Sequence, residues 1–174
     1  MNNPTIKTPE IELAVMREYD FLQNTIIPNV HWILGFEADI FMLTKAGYAT
    51  CFEIKVSKSD LIADRKKRHI RLLKDLPQAA KRYYNKLKHF VYVVPESLQE
   101  VALDEIPDFA GLVVAYKVPE SYLPEKVFLK KVRAPKKLSS PKWTEKEKVE
   151  VLRLGTLRIY NLKQKIFELQ TSDQ

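Results

Sequence analysis

Asp39, Glu53 and Lys55 are the side chains whose types and spacing could do chemistry together. Asp39 leads into an apolar run at residues 40–43; residues 44–48 hold Gly47; a second apolar-rich run at 49–52 ends in Glu53-Ile54-Lys55. Two such runs around a glycine-containing turn read as a β-hairpin. With Lys45, Ala46 and Gly47 as a three-residue loop, Thr44 faces Tyr48, residue 43 faces 49, 41 faces 51, and Asp39 faces Glu53. Opposed residues of an antiparallel pair leave the same face with Cβ atoms about 4.5–5.5 Å apart. Lys55, two residues beyond Glu53, keeps to that face. Two carboxylates and an ammonium then converge on one patch of sheet, as in a metal site with a charged helper.

The arrangement has a cost, because like charges opposed across strands repel. A divalent cation removes that repulsion, and hard oxygen ligands suit Mg²⁺, which is commonly held by one or two carboxylates with waters and substrate phosphates. On the hairpin alone, an ordinary surface ion network around Lys55 is an equal reading. Phe52, Ile54 and Val56 on the alternate face weigh against it, since they anchor the strand in a core.

The elements that must position these groups follow from the rest of the chain. Its 174 residues, 45% hydrophobic and 29% charged, are most simply one α/β domain with a substantial core. No apolar stretch has the length of a membrane span, and the first ten residues lack a basic-then-apolar leader pattern. One cysteine, Cys51, leaves no internal disulfide to form, and a cytoplasmic protein is expected. His31, His69 and His89 are scattered, without zinc spacing. The net charge of +7 is concentrated: residues 58–90 hold eleven Lys/Arg against three Asp, leaving the remainder near −1. A basic segment beside a carboxylate pair suits a polyanion, although charge runs are usually solvated helix faces.

A first helix is expected over residues 8–23, capped by Thr8, with Pro9 in its first turn and Ile11, Val15, Tyr19 and Leu22 as its stripe. Residues 30–34 are a strand candidate before the Asp39 strand. Ser57 with Asp60 resembles a capping box opening a helix over about 58–67. Further helices are expected from Pro77 to Tyr84 and over 96–103, and strands at 89–94, 111–116 and 126–133. Residues 134–142 read as a Pro/Ser linker and 143–170 as a long helix. Thr144 and Glu147 cap it, and Val149, Leu152, Ile159 and Ile166 form its stripe. Strands followed by a crossover helix and another strand indicate a mixed sheet flanked by helices. The expected division is residues 1–134 as the main domain and 135–174 as linker plus a helix packing on that domain or on a partner subunit.

Asp39, the hairpin and Glu53-Ile54-Lys55, set in this order of elements, resemble the PD-(D/E)XK nuclease superfamily. The stretches GFEADIFMLTKAGYATCFEIKVSKSDLIADRKKRH and KHFVYVVPESL resemble its MmcB-like endonuclease group, over roughly residues 8–116 and more weakly 152–163. The proline of the superfamily name is replaced by Ala38. The resemblance implies a restriction-endonuclease-like αβββαβ core and a Mg²⁺-dependent DNA phosphodiester hydrolase, with Mn²⁺ able to substitute, acting in repair, recombination or phage DNA processing. It assigns metal binding to Asp39, Glu53 and the Ile54 carbonyl, and water positioning or activation to Lys55. A further acid is expected from the first helix, Glu12 before Glu18, with an ordinary surface glutamate as the even alternative. Gln78 is an auxiliary candidate, more simply a solvated glutamine. A homodimer is expected by analogy.

The chemistry suits the residues independently. A carboxylate-held cation lowers the pKa of bound water, and an adjacent ammonium stabilises charge on the phosphate. Lys58, Arg65, Lys66, Lys67 and Arg68 would grip backbone phosphates, which positions DNA without reading sequence. Trp32, Tyr83, Tyr84 and Trp143 could stack on bases, though packing in a core is the commoner role. The residues leave two other functions open: a non-catalytic nucleic-acid-binding module, and an interaction domain docking through its terminal helix.

Overall fold

The glycine turn and its two apolar runs fold as the hairpin that their pattern predicts. The computed structural model describes residues 5–30, 36–64, 66, 67, 70, 86–118, 126–138 and 141–172. Strand β2 (Ala38–Leu43) pairs antiparallel with β3 (Ala49–Ile54), with Leu43 opposite Ala49, Phe41 opposite Cys51 and Ile40 opposite Phe52. Thr44 N–H donates to Tyr48 O at 3.0 Å and Gly47 N–H to Thr44 O at 2.8 Å, which closes the loop. Gly47 adopts φ +83°, the left-handed region where a side chain is strained, and a Cβ there would meet the Trp143 carbonyl oxygen at 3.3 Å.

Helix α1 (Thr8–Glu18) and edge strand β1 (Thr25–Val30) precede the hairpin; α2 (Lys58–Asp64), β4 (Leu87–Pro95), α3 (Gln99–Glu105), β5 (Gly111–Lys117), β6 (Val127–Arg133) and α4 (Glu145–Ser172) follow it. The six strands lie in chain order, antiparallel from β1 to β3, parallel through β3, β4 and β5, and antiparallel again at β6. This is a mixed sheet flanked by helices, with the order αβββαβ at its start and a long helix at its end. Apolar side chains cover both of its faces. Ile11, Ala14 and Val15 of α1 pack with Ile40, Phe52, Ile54 and Val93 on one. Leu61 of α2, Ala102 of α3 and Val151 of α4 pack with Phe41, Cys51, Phe90 and Tyr92 on the other. No helix among the described residues is long and apolar enough to cross a membrane.

Four expectations are corrected. Helix α1 stops at Glu18 instead of residue 23, and Leu22 is exposed. Asp20 takes φ 54°, while Asp20 N–H bonds Arg17 O and Phe21 N–H bonds Met16 O, the paired contacts of a left-handed helix end. A strand lies at Thr25–Val30, where none was expected, and it contains Pro28; of the strand expected at 30–34, residues 31–34 lie outside the described residues. An edge strand tolerates proline because one row of its N–H groups needs no partner. The segment after β6 is not a free linker: Lys136 N–H bonds Phe109 O at 2.9 Å and Leu138 N–H bonds Lys88 O at 3.0 Å. On α4 the inward residues are Val151, Leu154 and Gly155, with Gly155 against Ile27; Val149, Leu152, Ile159 and Ile166 face outward. Apolar residues on more than one side of that helix left its packed face undetermined by periodicity.

The caps of α2 and α4 form as read. Asp60 N–H donates to Ser57 Oγ at 3.2 Å, and Thr144 N–H donates to Glu147 Oε2 at 2.8 Å. Glu147 also pairs with Lys86, just before β4. The hydrogen bond from Lys86, aided by those from Thr144, outweighs burial and pulls the Glu147 carboxyl down to about 2. A carboxyl lowered on folding contributes stability above its unfolded pKa and loses it as pH falls through the folded one. Glu147→Gln should therefore lower stability at neutral pH and flatten the acid limb between about pH 4.5 and 2. Thermal melts of variant and wild type across that window check the sign; parallel curves would remove the assignment.

Candidate functional site

Strand alternation places Asp39, Glu53 and Lys55 on the face covered by α2, since Phe41 and Cys51 point there while Ile40, Phe52 and Ile54 point to α1. Continuing the hairpin register sets Asp39 opposite Glu53. At that position the Asp39 carboxylate takes over backbone pairing: its Oδ2 accepts the Ile54 N–H at 2.7 Å. Lys55 N–H bonds Val93 O at 3.0 Å, which ties the end of β3 to β4, and Tyr92 lies beside Glu53 in the parallel register.

Lys55 Nζ lies 2.7 Å from Glu53 Oε1, 3.5 Å from Asp64 Oδ1 and 3.9 Å from Asp39 Oδ2. Lys67 Nζ lies 2.9 Å from the same Glu53 oxygen and 2.5 Å from Asp64 Oδ1. Tyr92 donates its hydroxyl to Asp64 Oδ2 at 2.6 Å. Three carboxylates thus surround two ammoniums. Glu53 is 2% exposed, Lys55 8% and Asp64 1%, so the network is buried, with its opening at Asp39 and Lys67.

Burial and the adjacent Asp39 charge raise the Glu53 carboxyl above its ordinary value, against the pull of Lys55. Burial also raises Asp39, against the Ile54 N–H and Lys55. Asp64 goes the other way: burial is outweighed by hydrogen bonds from Lys67 and Tyr92, which lower it. Lys67 is raised, because burial is outweighed by Asp64 and Glu53. Environment therefore sorts the acids into one firmly ionised member, Asp64, and two that resist charging.

Among the described residues, Glu53 Oε2 is buried without a hydrogen-bond partner. Such an atom carries a desolvation cost unless something positive meets it. Among the described residues no group of three or more His, Cys, Asp or Glu is arranged to hold a metal by protein ligands alone. Magnesium does not require one, because it usually keeps waters and substrate oxygens around one or two carboxylates. The donor set of Asp39 and Glu53 fits that pattern.

Asp64 and Tyr92 were missed in the sequence. Leu61 and Asp64, one helical turn apart, share the buried face of α2, and that i,i+3 spacing was the available signal. Lys67, grouped with the phosphate-gripping cations, sits on Glu53 and Asp64. Lys58 and Lys66 are exposed on and just after α2; Arg65 and Arg68 lie outside the described residues. So do Gln78, Trp32, Tyr83, Tyr84 and the helix expected from Pro77. Trp143 is a core residue, 6% exposed. Glu12 accepts a hydrogen bond from Asn29 Nδ2 at 3.2 Å. The β1–β2 register, Pro28 with Ile40 and Val30 with Ala38, sets Asn29 against Asp39, but α1 packs on the opposite face of the sheet from Asp39, Glu53 and Lys55, so the structure does not bring Glu12 together with them. The Glu18 side chain is exposed at the end of α1.

No protein-family model matches the chain, and no curated protein matches it significantly. Among solved structures it is similar to the SPO1766 protein of unknown function from Silicibacter pomeroyi, at 15% identity and a TM-score of 0.57, over 97% of this chain and 94% of that one. The likeness extends over nearly the whole of both chains and concerns the fold.

Proposed function

We propose that the protein is a Mg²⁺-dependent nuclease of the PD-(D/E)XK type that hydrolyses DNA phosphodiester bonds. The observation that carries this reading is the meeting of Asp39, Glu53 and Lys55 on one patch of sheet, with Glu53 Oε2 buried and, among the described residues, unpartnered. Asp39 and Glu53, with the Ile54 carbonyl, would hold the ion. A bound Mg²⁺ would supply Lewis acidity and a water of lowered pKa. Lys55 supplies positive charge beside the phosphate and orients the water through its ammonium hydrogens. Asp64, held by Tyr92, orients Lys55 from behind. Lys67, 45% exposed on its side chain, would have to leave Glu53 Oε1 and turn toward a phosphate for the cation to take its place. A homodimer, if formed, would use the outward apolar face of α4.

Incubating the protein with plasmid, branched and single-stranded DNA in Mg²⁺ or Mn²⁺ tests the reading. Metal-dependent cleavage of any of them is the expected result, and no cleavage under any condition would overturn it. A second reading, a nucleic-acid-binding module without turnover, draws on Lys67, whose ammonium already neutralises Glu53 and Asp64. Binding without cleavage would select it.

Lys66→Ala combined with Arg68→Ala should weaken DNA binding and lower the slope of log K against log salt by about 0.9 for each phosphate that is no longer neutralised. Fluorescence anisotropy at several salt concentrations reads both quantities. An unchanged slope would take these two residues out of the interface.

A further inference from the structure

A second concavity lies on the other face of the sheet, toward the hairpin turn and the start of β4, with a volume of about 530 Å³. It has no part in the proposed nuclease chemistry. Its floor is apolar, formed by Met42, Val91 and Val113 on the α1 side of β2, β4 and β5. Tyr19 and Tyr48 line it as well, and Thr44 and Thr50 add hydroxyls.

The charge of its lining is one-sided. Lys88, His89, Lys131 and Arg133 contribute, and no carboxylate does among the described residues. Arg133 is committed elsewhere: its Nε donates to Ala110 O at 2.9 Å and an Nη to Pro107 O at 2.8 Å. Lys88 and Lys131 differ. Lys88 Nζ sits 4.0 Å from the Tyr48 ring centroid and Lys131 Nζ 5.3 Å from that of Tyr19. Cation–π contacts of this kind at a surface are worth only about 0.5–1 kcal/mol, so either ammonium turns readily to an anion. Burial and the neighbouring Lys88 lower the His89 pKa, which favours a neutral imidazole as a hydrogen-bonding group.

Ligand sites of about 300–1,000 Å³ with an apolar lining and few polar groups are typical for small molecules. We propose that this cavity binds a small organic anion, its apolar body on Met42, Val91 and Val113 and its charged end between Lys88 and Lys131. The shared chemistry is an apolar body bearing a carboxylate, sulfonate or phosphate; acyl chains and nucleotides are two sources of it.

Naphthalene-1-sulfonate titrated into the ¹⁵N-labelled full chain tests the site. Saturable shifts at the amides of Thr50, Val91 and Val113, with a Kd below about 1 mM, are expected. The neutral comparator 1-naphthalenemethanol should bind at least about fivefold more weakly, and Lys88→Glu with Lys131→Glu should weaken the sulfonate about tenfold at unchanged amide dispersion. If the double variant does not fold, Lys131→Glu alone, at an exposed position, should still raise the Kd. Octanoate and adenosine monophosphate as competitors separate the two sources, and displacement by either supports the site. Shifts confined to α4, no saturation, or affinity indifferent to both the charge of the probe and the lysines would overturn it.

Discussion

Glu53→Gln should abolish metal-dependent DNA cleavage, by at least about 10²–10³-fold, while the protein stays folded and bound to DNA. The amide keeps the shape of the carboxylate and an oxygen for Lys55 and Lys67, which both donate to Glu53 Oε1. It removes the anion that a cation needs. The charge balance predicts a mild effect on the fold: Asp39 and Asp64 are then matched by two ammoniums where three acids had faced them. Lys55→Ala should abolish cleavage too, but with the opposite consequence for stability. It leaves three clustered carboxylates with Lys67 alone, and removing one partner of a buried ionic network typically costs about 3–5 kcal/mol. Urea unfolding of both variants beside single-turnover cleavage separates the roles. Cleavage by Glu53→Gln within tenfold of wild type, or a Lys55→Ala protein as stable as wild type, would dismantle this account of the cluster.

The second large effect is structural. Trp143 stands just before α4 with its ring 5.3 Å edge-on from Phe41, its Nε1–H donating to Lys86 O at 3.0 Å and its backbone N–H to Gly47 O at 2.9 Å. It joins the helix to the hairpin turn and to the start of β4. Trp143→Ala should cost about 3–5 kcal/mol, because it opens a cavity beside Phe41 and strips the Lys86 carbonyl of its partner. Trp143→Phe, which keeps an aromatic ring against Phe41, should cost clearly less. Proteolysis within α4 should accelerate in the alanine variant. A loss below about 1 kcal/mol would mean that α4 is not anchored through this residue.

The two regions were legible to different degrees. The hairpin could be read because its information is local: turn length and strand alternation fix which side chains oppose, and the observed pairs of 43 with 49 and 41 with 51 follow from them. Ser57, Thr144 and Glu147 were legible for the same reason, as each cap is closed within three residues. Asp64 was not. It read as one charge within a basic run; its role depends on α2 folding back over β3 and β4 until Tyr92, twenty-eight residues on, reaches its carboxylate. Lys67 likewise read as one of the phosphate-gripping cations of that run, whereas it sits on Glu53 and Asp64.

The face of α4 that packs could not be read either. Val149, Leu152, Ile159 and Ile166 keep a helical spacing as regular as that of the residues that are buried, and only contact with Ile27 of β1 distinguishes Gly155 and its neighbours. The strand at Thr25–Val30 was missed because Pro28 signals a break unless the strand is known to lie at an edge.

The order of residues alone therefore determined the alternation of helix and strand, the hairpin register, and the pairing of Asp39 with Glu53 and Lys55, all products of short-range geometry. Tertiary structure decided how deeply that trio is buried, that Asp64, Lys67 and Tyr92 complete its charge network, and that a basic-rimmed cavity opens on the opposite face. Those properties arise from segments distant in sequence that share one desolvated volume, and desolvation belongs to the folded arrangement, not to any stretch of chain.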